Sequence, residues 1–344
     1  MALDKSVLND EIIKQLLMEK YKIEPSSIRK LKLGSANCYL VNDGTNCYFL
    51  KEFQSGFSEE AVVREAILSE YLSHTDVPAK KIYRTLDQTY VFRYRDHLIC
   101  LEEYVEGNTY DYNDLPEELL PAVARMLGKI HRALKDYPLP IEMGEKWVHT
   151  FSKDTLVGQY RAVMEIAEKR TEDVNCTWII EDLRYRELLA EKCETYKKYY
   201  DNITYCSSHG DYHGCQLVFD QNEISAVIDF SSASCMPVVW EIMRSFLHSS
   251  MNCRKNTVID IPSLCAYVKE YMQYAPLTDN DLNAMPYVYL IQLIRSKYGY
   301  PQYLNSDSED RESLLQFAHW RTKMCSEIEK KAEEIACELL KLKK

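Results

Sequence analysis

Glycine is scarce in this sequence, with 10 among 344 residues, and no two glycines are separated by a single residue. The chain therefore contains neither a G-x-G-x-x-G motif nor a Walker A motif. Long apolar runs are also absent, since the segment MPYVYLIQLI at 285–294 is among the longest. A transmembrane helix needs roughly 18 or more apolar residues. The sequence thus predicts no P-loop, no Rossmann-type loop and no membrane-spanning segment.

Basic residues are outnumbered, and cysteine patterns typical of metal sites are missing. Lys and Arg total 42 against 53 Asp and Glu, which gives a formal net charge of −11. Because nucleic-acid binding needs a basic face, this balance argues against nucleic acid as a partner. The 12 cysteines are scattered without a C-x-x-C pair, and the first residues, MALDKSVLNDEIIK, do not resemble a signal peptide. We expect reduced thiols and a cytoplasmic protein without a membrane partner.

The periodicity of the apolar residues changes along the chain. Helical spacing at 8–21 is followed by short apolar runs that alternate with turn residues up to about residue 104, which is typical of strands. After about residue 106 helical spacing dominates. With 46% hydrophobic and 28% charged residues, the composition is that of a globular protein large enough for one large domain or two lobes.

The most informative segment is SHGDYHGCQLVFDQNEISAVID, at 208–229. A polar turn around Asp211 is followed by two apolar runs, LVF and SAVI, with turn residues between them. This pattern predicts a β-hairpin with Asp211 and Gln216 at its entrance and Asp229 at its exit. Because hairpin pairing brings the two ends together, we expect two carboxylates and an amide oxygen at one edge.

These three polar side chains occur in the order that kinases use for phosphoryl transfer. In kinases, an H-x-D-x-x-x-x-N loop followed by a D-F pair supplies a proton acceptor and two metal ligands. Asp211 would accept or orient the proton of the attacking hydroxyl, and Gln216 stands at the position of the metal-binding Asn. Asp229 would bind Mg²⁺, which prefers hard oxygen ligands. A surface hairpin with an acidic turn is the alternative, and the order of the three residues favours the site.

The segment HGDYHGCQ followed by AVIDF resembles the HGD-x-x-x-x-N and I-D-[FW] signature of the aminoglycoside phosphotransferase / choline kinase superfamily. Its members are small-molecule kinases with a protein-kinase-like fold, and they include homoserine kinase and CotS-type proteins. The resemblance implies a two-lobe α/β (α+β) fold. A small, mostly antiparallel N-lobe with one helix, residues 1–105, would bind the nucleotide, and a larger helical C-lobe, residues 106–344, would carry the catalytic loop and the acceptor-binding helices. Gln216 departs from the family's Asn by one methylene and keeps the amide oxygen.

A lysine and a helix in the N-terminal part fit this fold. Lys51 ends the run YFLK, where a kinase lysine reaches the α- and β-phosphates and pairs with a glutamate of the next helix. That helix is predicted at 58–73 with Ser58 as its N-cap. Glu65 is the preferred partner, because VVREAILSEYL resembles the family's RE…L…L helix. A surface lysine on an edge strand is the alternative for Lys51. The rival partners for this lysine are Glu59, Glu60 and Glu70.

Two more nucleotide-binding elements follow from the resemblance. The turn GSAN at 34–37 corresponds to the family's short turn over the phosphates, which makes Ser35 and Asn37 candidates; an ordinary β-turn is the alternative. The run LEEYVEG resembles the family's EYxxG hinge, where backbone groups pair with the base. It implies that Glu103 and Val105 lie at the nucleotide.

A helix is predicted from Pro237 onward, after the catalytic segment. Its PVVWEIM run resembles the family segment P…(D/E)L, whose acid supports the catalytic loop or lines the acceptor site. Trp240 and Glu241 are therefore candidates for binding the substrate, and a core position is the alternative for Trp240. His131, in LGKIHRAL, resembles the family's LGxLH core helix. We expect it to pack or to form hydrogen bonds rather than to catalyse.

Together these features imply a kinase that uses ATP, or GTP, with Mg²⁺ and transfers the γ-phosphoryl group to a hydroxyl of a small molecule. An aminoglycoside-like antibiotic, a choline-like amine, an amino acid and a sugar are all compatible acceptors. A catalytically impaired pseudokinase or a structural coat-type protein is the alternative, favoured by Gln216 and the glycine-poor loop. A protein kinase is a further alternative, against which the HGD form argues. The sequence predicts no oligomeric state.

Overall fold

The computed structural model describes residues 5–31, 36–139, 152–306 and 310–343. The chain divides into two compact units. The first comprises Met1–Thr109 and Gln216–Ser232, and the second comprises Tyr110–Cys215 and Ala233–Lys344. Among the described residues, no helix is both long enough and apolar enough to span a membrane.

The first unit is built on an antiparallel sheet. Its helices are α1 (Asp10–Tyr21) and α2 (Glu59–Leu72), and its first six strands are β1 (Ser27–Leu31), β2 (Asn37–Asn42), β3 (Cys47–Glu52), β4 (Ile82–Tyr83), β5 (Phe92–Tyr94) and β6 (His97–Glu103). The strand order is β1-β2-β3-β6-β4, and β5 also pairs with β6. The mostly antiparallel N-terminal part predicted from the sequence is therefore confirmed.

Helices α1 and α2 cover opposite faces of this sheet. Ile99 and Leu101 of β6 pack in one apolar cluster with α1, and Leu98 and Cys100 pack in another with α2. This alternation follows from the period of two residues in a strand. Lys51 pairs with Cys100 in the sheet register, so it lies on the face that α2 covers.

A hairpin from later in the sequence completes the first unit. Strands β8 (Leu217–Asp220) and β9 (Glu223–Val227) pair antiparallel, with a register shift between Val218 and Phe219. Backbone bonds at 2.8 and 2.9 Å join Phe219 to Asn108, and Val227 donates to the Pro78 carbonyl at 2.8 Å. The predicted hairpin is confirmed. The predicted division after residue 105 differs from the observed units, because these long-range bonds attach the hairpin to loop residues of the first unit.

The second unit is mainly helical. Its helices are α3 (Leu120–Ala133), α4 (Lys153–Glu168), α5 (Val174–Tyr196), α6 (Val238–Ser249), α7 (Ile261–Met272), α8 (Asp279–Arg295), α9 (Tyr300–Asn305) and α10 (Arg311–Leu340). Strands β7 (Tyr205–Ser208) and β10 (Ser234–Pro237) form a short antiparallel ladder. Helix α8, which is buried along most of its length, packs against α6 and α10.

The start of the β7 strand is anchored to a helix end. Thr278 and Asp281 form a capping box at the N-terminus of α8. The Asp281 carboxylate also accepts hydrogen bonds from the backbone N–H of Thr204 at 2.7 Å and from its hydroxyl at 2.8 Å. Because Thr204 directly precedes β7, this buried carboxylate positions the strand that leads into the HGD segment.

Candidate active site

The first unit brings together an ammonium group and several carboxylates from separate segments. Lys51 lies on β3, Glu65 on α2, Glu102 on β6 and Asp229 two residues after the end of β9. Ser58 caps α2 as predicted, since its hydroxyl accepts a bond from the Ala61 N–H. Three of the four residues are the predicted Lys51, Glu65 and Asp229. Glu102 was not predicted.

Mutual electrostatics determine how these groups ionise. Burial penalises the charged form of Lys51, but the carboxylates of Glu102, Glu65 and Asp229 outweigh it and raise the pKa of the lysine above its ordinary value. Burial, opposed in part by Lys51, raises the pKa of Glu65 to about 7. For Glu102, Lys80 and Lys51 overcome burial, so its pKa is lowered. The lowered pKa keeps Glu102 ionised beside Lys51 at neutral pH.

Lys80 and Glu102 form a buried ion pair next to this group. The Lys80 Nζ lies 2.5 Å from Oε2 of Glu102 and 4.1 Å from the centre of the Phe49 ring. Phe49 and Glu102 are paired across β3 and β6. Side chains alternate between the two faces of a strand, so the sequence of β6 already places Glu102 on the same face as Cys100. The contact of Glu102 with Lys80 depends on tertiary structure, which the sequence does not reveal.

The predicted hinge residues lie at the end of β6. The Glu103 N–H donates to the Lys81 carbonyl at 2.8 Å, and Glu103 and Val105 are partly exposed. Gly107 follows with φ of 155°, and an added Cβ there would lie 2.5 Å from the Phe219 carbonyl oxygen. Only glycine fits this close approach between the hinge and the hairpin. The contact of Glu103 and Val105 with a nucleotide stays a prediction.

The predicted phosphate turn is only partly described. Asn37 is the first residue of β2, is buried and pairs with Glu52 of β3. Ser35 lies outside the described residues, so its predicted role stays a prediction.

The two predicted metal ligands flank the base of the hairpin. The Ile228 N–H donates to the Gln216 carbonyl at 3.0 Å, which places Gln216 across the hairpin from the residue preceding Asp229. Asp229 has a left-handed backbone, with φ of 63°, and its Oδ1 accepts a bond from the Ser231 hydroxyl at 2.6 Å. One amide and one carboxylate fit Mg²⁺, which takes few protein oxygens and completes its coordination with water and phosphates. Among the described residues, no cluster of three or more His, Cys, Asp or Glu could hold a metal ion.

Asp211 lies in the second unit, in a loop that begins where β7 ends. Gly210 has φ of 86°, a conformation that glycine adopts without strain, and Asp211 follows it. Oδ1 of Asp211 forms an ion pair with Arg244 of α6 and lies 3.7 Å from Nε2 of His213. Burial opposes ionisation, but His213 and Arg244 outweigh it and lower the pKa of Asp211 well below its ordinary range. Asp211 is therefore a carboxylate at every physiological pH and is 30% exposed.

Glu241 holds this loop from beneath. It is fully buried, with its Oε1 accepting the Gly210 N–H at 2.5 Å and its Oε2 bonded to Nε2 of His131 at 2.9 Å. Nδ1 of His131 lies 2.7 Å from the Tyr271 hydroxyl. Although burial raises it, His131, His209 and Gly210 lower the pKa of Glu241 overall. His131 is thus a buried hydrogen-bonded residue, as predicted.

The acceptor-binding role predicted for Glu241 and Trp240 does not fit their burial. Both carboxylate oxygens of Glu241 are engaged by the protein, so its side chain supports the HGD loop instead. Trp240 is 3% exposed, and its ring packs against Arg244 at 5.6 Å and Tyr289 at 6.2 Å. It occupies the core position that was the alternative. The sequence did not identify Arg244 as the partner of Asp211. The only signal was the spacing of four residues, which places Arg244 on the same face of α6 as Trp240.

The chain is a small-molecule kinase of the protein-kinase-like class. This class combines an antiparallel β unit, which here carries a lysine among carboxylates, with a helical unit, which here carries an HGD loop. Residues 27–274 match the model of the phosphotransferase enzyme family, so the chain belongs to this family. The resemblance noted in the sequence is thereby confirmed, as is the fold class. A search of curated protein sequences finds no match.

Several solved structures share the fold over nearly the whole chain. One is a spectinomycin phosphotransferase in complex with ADP and spectinomycin, with 15% identity, 96% of this chain and 98% of that chain covered, and a TM-score of 0.65. An amicoumacin kinase in complex with AMP-PNP and Ca²⁺ has 16% identity, coverages of 93% and 95%, and a TM-score of 0.62. A microcompartment-associated aminopropanol kinase has 16% identity, coverages of 97% and 100%, and a TM-score of 0.61.

Proposed function

We propose that this enzyme transfers the γ-phosphoryl group of ATP to a hydroxyl of a small molecule in a Mg²⁺-dependent reaction. The observation that carries the proposal is the grouping of Lys51, Glu65 and Asp229, which come from three separate segments and match the kinase pattern of a phosphate-binding lysine, its helix glutamate and a metal-binding aspartate. The nucleotides in the similar structures, ADP and AMP-PNP, agree with this choice of donor.

Each unit contributes separate groups to the reaction. In the first unit, Lys51 binds the α- and β-phosphates, with its charge maintained by Glu102 and Glu65. Glu103 and Val105 bind the base through their backbone, and Ser35 and Asn37 belong to the turn over the phosphates. Gln216 and Asp229 hold the metal ion, which when bound neutralises charge on the phosphates.

In the second unit, Asp211 orients the acceptor hydroxyl. The acceptor oxygen forms a bond to the γ-phosphorus, the bond from this phosphorus to the β–γ bridging oxygen breaks, and ADP leaves with the electron pair. The hydroxyl proton passes by way of Asp211 to solvent. Because its low pKa makes Asp211 a weak base, its main contribution is positioning, which suits a loose transition state.

A pseudokinase or coat-type protein is the second candidate, and Gln216 is the residue that favours it. Its longer side chain moves the amide oxygen away from the usual position of the Asn ligand. This candidate predicts that nucleotide binds and no product forms.

A coupled ADP-release screen over hydroxylated metabolites and antibiotics, followed by mass detection of the phosphorylated product, tests the proposal. Asp211→Ala should reduce turnover by about 100-fold or more while the Kd for Mg·AMP-PNP stays nearly unchanged. Chelation of Mg²⁺ with EDTA should abolish turnover. Equal turnover of wild type and Asp211→Ala would refute the role of Asp211. Nucleotide binding without product from any acceptor would favour the pseudokinase.

A further inference from the structure

Three arginines of the second unit, Arg244, Arg254 and Arg321, form what we call the arginine cluster. They act together on His248 of α6: burial lowers the pKa of this histidine, and Arg244, His213, Arg254 and Arg321 lower it further. Arg244 is also the arginine that pairs with the catalytic aspartate. The cluster therefore adjoins the site where the acceptor hydroxyl is expected.

Two of the three arginines in this cluster have no acidic partner among the described residues. Arg244 pairs with Asp211, but in the described parts of the chain neither Arg254 nor Arg321 forms an ion pair. Burial lowers the pKa of Arg321 to about 10, and Arg186 and Arg244 act in the same direction. The buried Arg186 shows the contrast, because the Thr322 hydroxyl and three backbone carbonyls accept its hydrogen bonds. Arg254 donates one hydrogen bond, from Nε to Oδ1 of Asn113 at 3.3 Å, and Arg321 forms none within the described residues. Burying arginines with so few partners is costly unless a ligand supplies more.

Hydrogen-bonding groups of the same region also lack partners. Trp240, Arg244 and His248 follow one another at intervals of four residues along one face of α6. In the described residues, the buried atoms without a hydrogen-bond partner include Nε1 of Trp240, Nε of Arg244, Nδ1 of His248 and Nη1 of Arg254. A buried unpaired donor costs about 1–3 kcal/mol. The arginine nitrogens among these atoms can only donate, so they fit a ligand that carries acceptor oxygens.

Aromatic rings hold the guanidinium of Arg254 in place. It lies 4.2 Å from the centre of the Trp320 ring, 4.9 Å from that of Tyr112 and 5.5 Å from that of Phe317. Phe317 also lies 5.5 Å from the guanidinium of Arg321. Arg254 sits in the π-helical turn Asn252–Asn256, a distortion that is frequent at functional sites. Stacked guanidinium groups lose little entropy when they bind a carboxylate or phosphate in a fork.

We propose that the acceptor carries a carboxylate or phosphate group, which Arg254 and Arg321 bind while the acceptor hydroxyl lies at Asp211. This inference rests on the proposed function and names its substrate class. It separates this chain from the similar aminopropanol kinase, whose name specifies an amino alcohol. A cationic amine beside this cluster would be repelled by the unbalanced arginine charge.

The test is isothermal titration calorimetry on the full chain, with and without saturating Mg·AMP-PNP. The probes are glycerate for a carboxylate, inorganic phosphate for a phosphate, glycerol as the neutral match and ethanolamine as the cationic match. Arg254→Gln and Arg321→Gln should each weaken binding of the anionic probe by about 10- to 100-fold. Arg161→Gln is the control, because Arg161 is exposed and pairs with Glu187 at the surface. Thermal melts check folding, and the partly exposed Arg254 carries the test if Arg321→Gln does not fold.

Binding of glycerate or phosphate that is lost in the arginine variants and kept in Arg161→Gln supports the inference, and the better of the two probes identifies the group. Absence of binding by both anions overturns it. So does equal binding by the arginine variants, or a preference for ethanolamine. ADP release with the same compounds is measured separately. If ethanolamine is the only compound turned over, the proposed function stands and the anionic acceptor is refuted. If the anions bind in an arginine-dependent manner but no compound gives ADP release, only the proposed function is refuted.

Discussion

The buried carboxylate of Glu241 allows a sharp test of how the HGD loop is held. In Glu241→Leu, a side chain of similar size removes two acceptors and leaves two buried donors, the Gly210 N–H and the His131 ring N–H. Each orphaned donor costs about 1–3 kcal/mol. The Ser208 hydroxyl, 3.1 Å from Nε2 of His131, compensates part of the second loss. We therefore expect a loss of about 2–4 kcal/mol in the free energy of unfolding.

Thermal melts followed by circular dichroism measure this loss. For a unit of this size, each kcal/mol lowers Tm by roughly 2–4 °C, so we expect a drop of roughly 5–15 °C. Glu270→Leu is the matched control, since Glu270 forms a part-exposed ion pair with Arg125 at 2.8 Å. That pair is worth at most about 1 kcal/mol. Equal Tm values for the two variants would refute the view that Glu241 supports the loop.

The dependence on pH gives a second readout with a defined sign. The pKa of Glu241 in the folded protein is lowered below its ordinary value of 4.5. Its ionised form therefore contributes stability that is fully present above the ordinary pKa and is lost as the pH falls through the folded pKa. The difference in stability between wild type and Glu241→Leu should shrink as the pH falls below 4.5. A difference that stays constant from neutral pH down to pH about 3 would contradict this assignment.

Two further predictions concern the first unit. Lys51→Met should raise the Kd for Mg·AMP-PNP by about 10- to 100-fold in calorimetry, because a charged hydrogen bond to phosphate is lost. Lys30→Met is the control, since Lys30 is exposed, and equal Kd values for the two variants would exclude Lys51 from the nucleotide site. Gly107→Ala should lower the free energy of unfolding by about 1–3 kcal/mol more than Gly44→Ala in urea titrations. Both glycines have positive φ, but only at Gly107 does an added Cβ meet the Phe219 carbonyl, so equal midpoints would show that the hairpin moves aside.

The sequence alone predicted those parts of the fold that depend on neighbouring residues. The helix capped by Ser58 and the β8–β9 hairpin follow from apolar period, capping and turn residues, which act over a few positions. The packing role of His131 followed from the resemblance of its segment to the family's core helix. The HGD segment also led to the recognition of the family, which the family match over residues 27–274 confirms, whereas the roles of Asp211 and Asp229 stay predictions. Capping and apolar period depend on residues close together in the sequence, so a single sequence is enough to predict the helices and strands that they define.

The sequence predicted the surroundings of these residues less well. Glu102 was overlooked beside Lys51, because its role depends on the pairing of β3 with β6. For Glu241 the sequence leaves two roles open, support of the loop and binding of the acceptor, and its bonds to Gly210 and His131 favour the first. Burial and partner choice depend on residues far apart along the chain, and no spacing rule reports them.

The attachment of the Gln216–Ser232 hairpin to the N-terminal unit was likewise decided by tertiary structure, through backbone bonds at Asn108 and Pro78. So was the arginine cluster, whose members come from α6, the turn after it and α10. Hydrophobic period determined which helices and strands form, and motif spacing singled out the candidate aspartates. Packing between distant segments determined which charges remain unpaired, because desolvation and Coulomb energy depend on three-dimensional proximity and not on position along the chain.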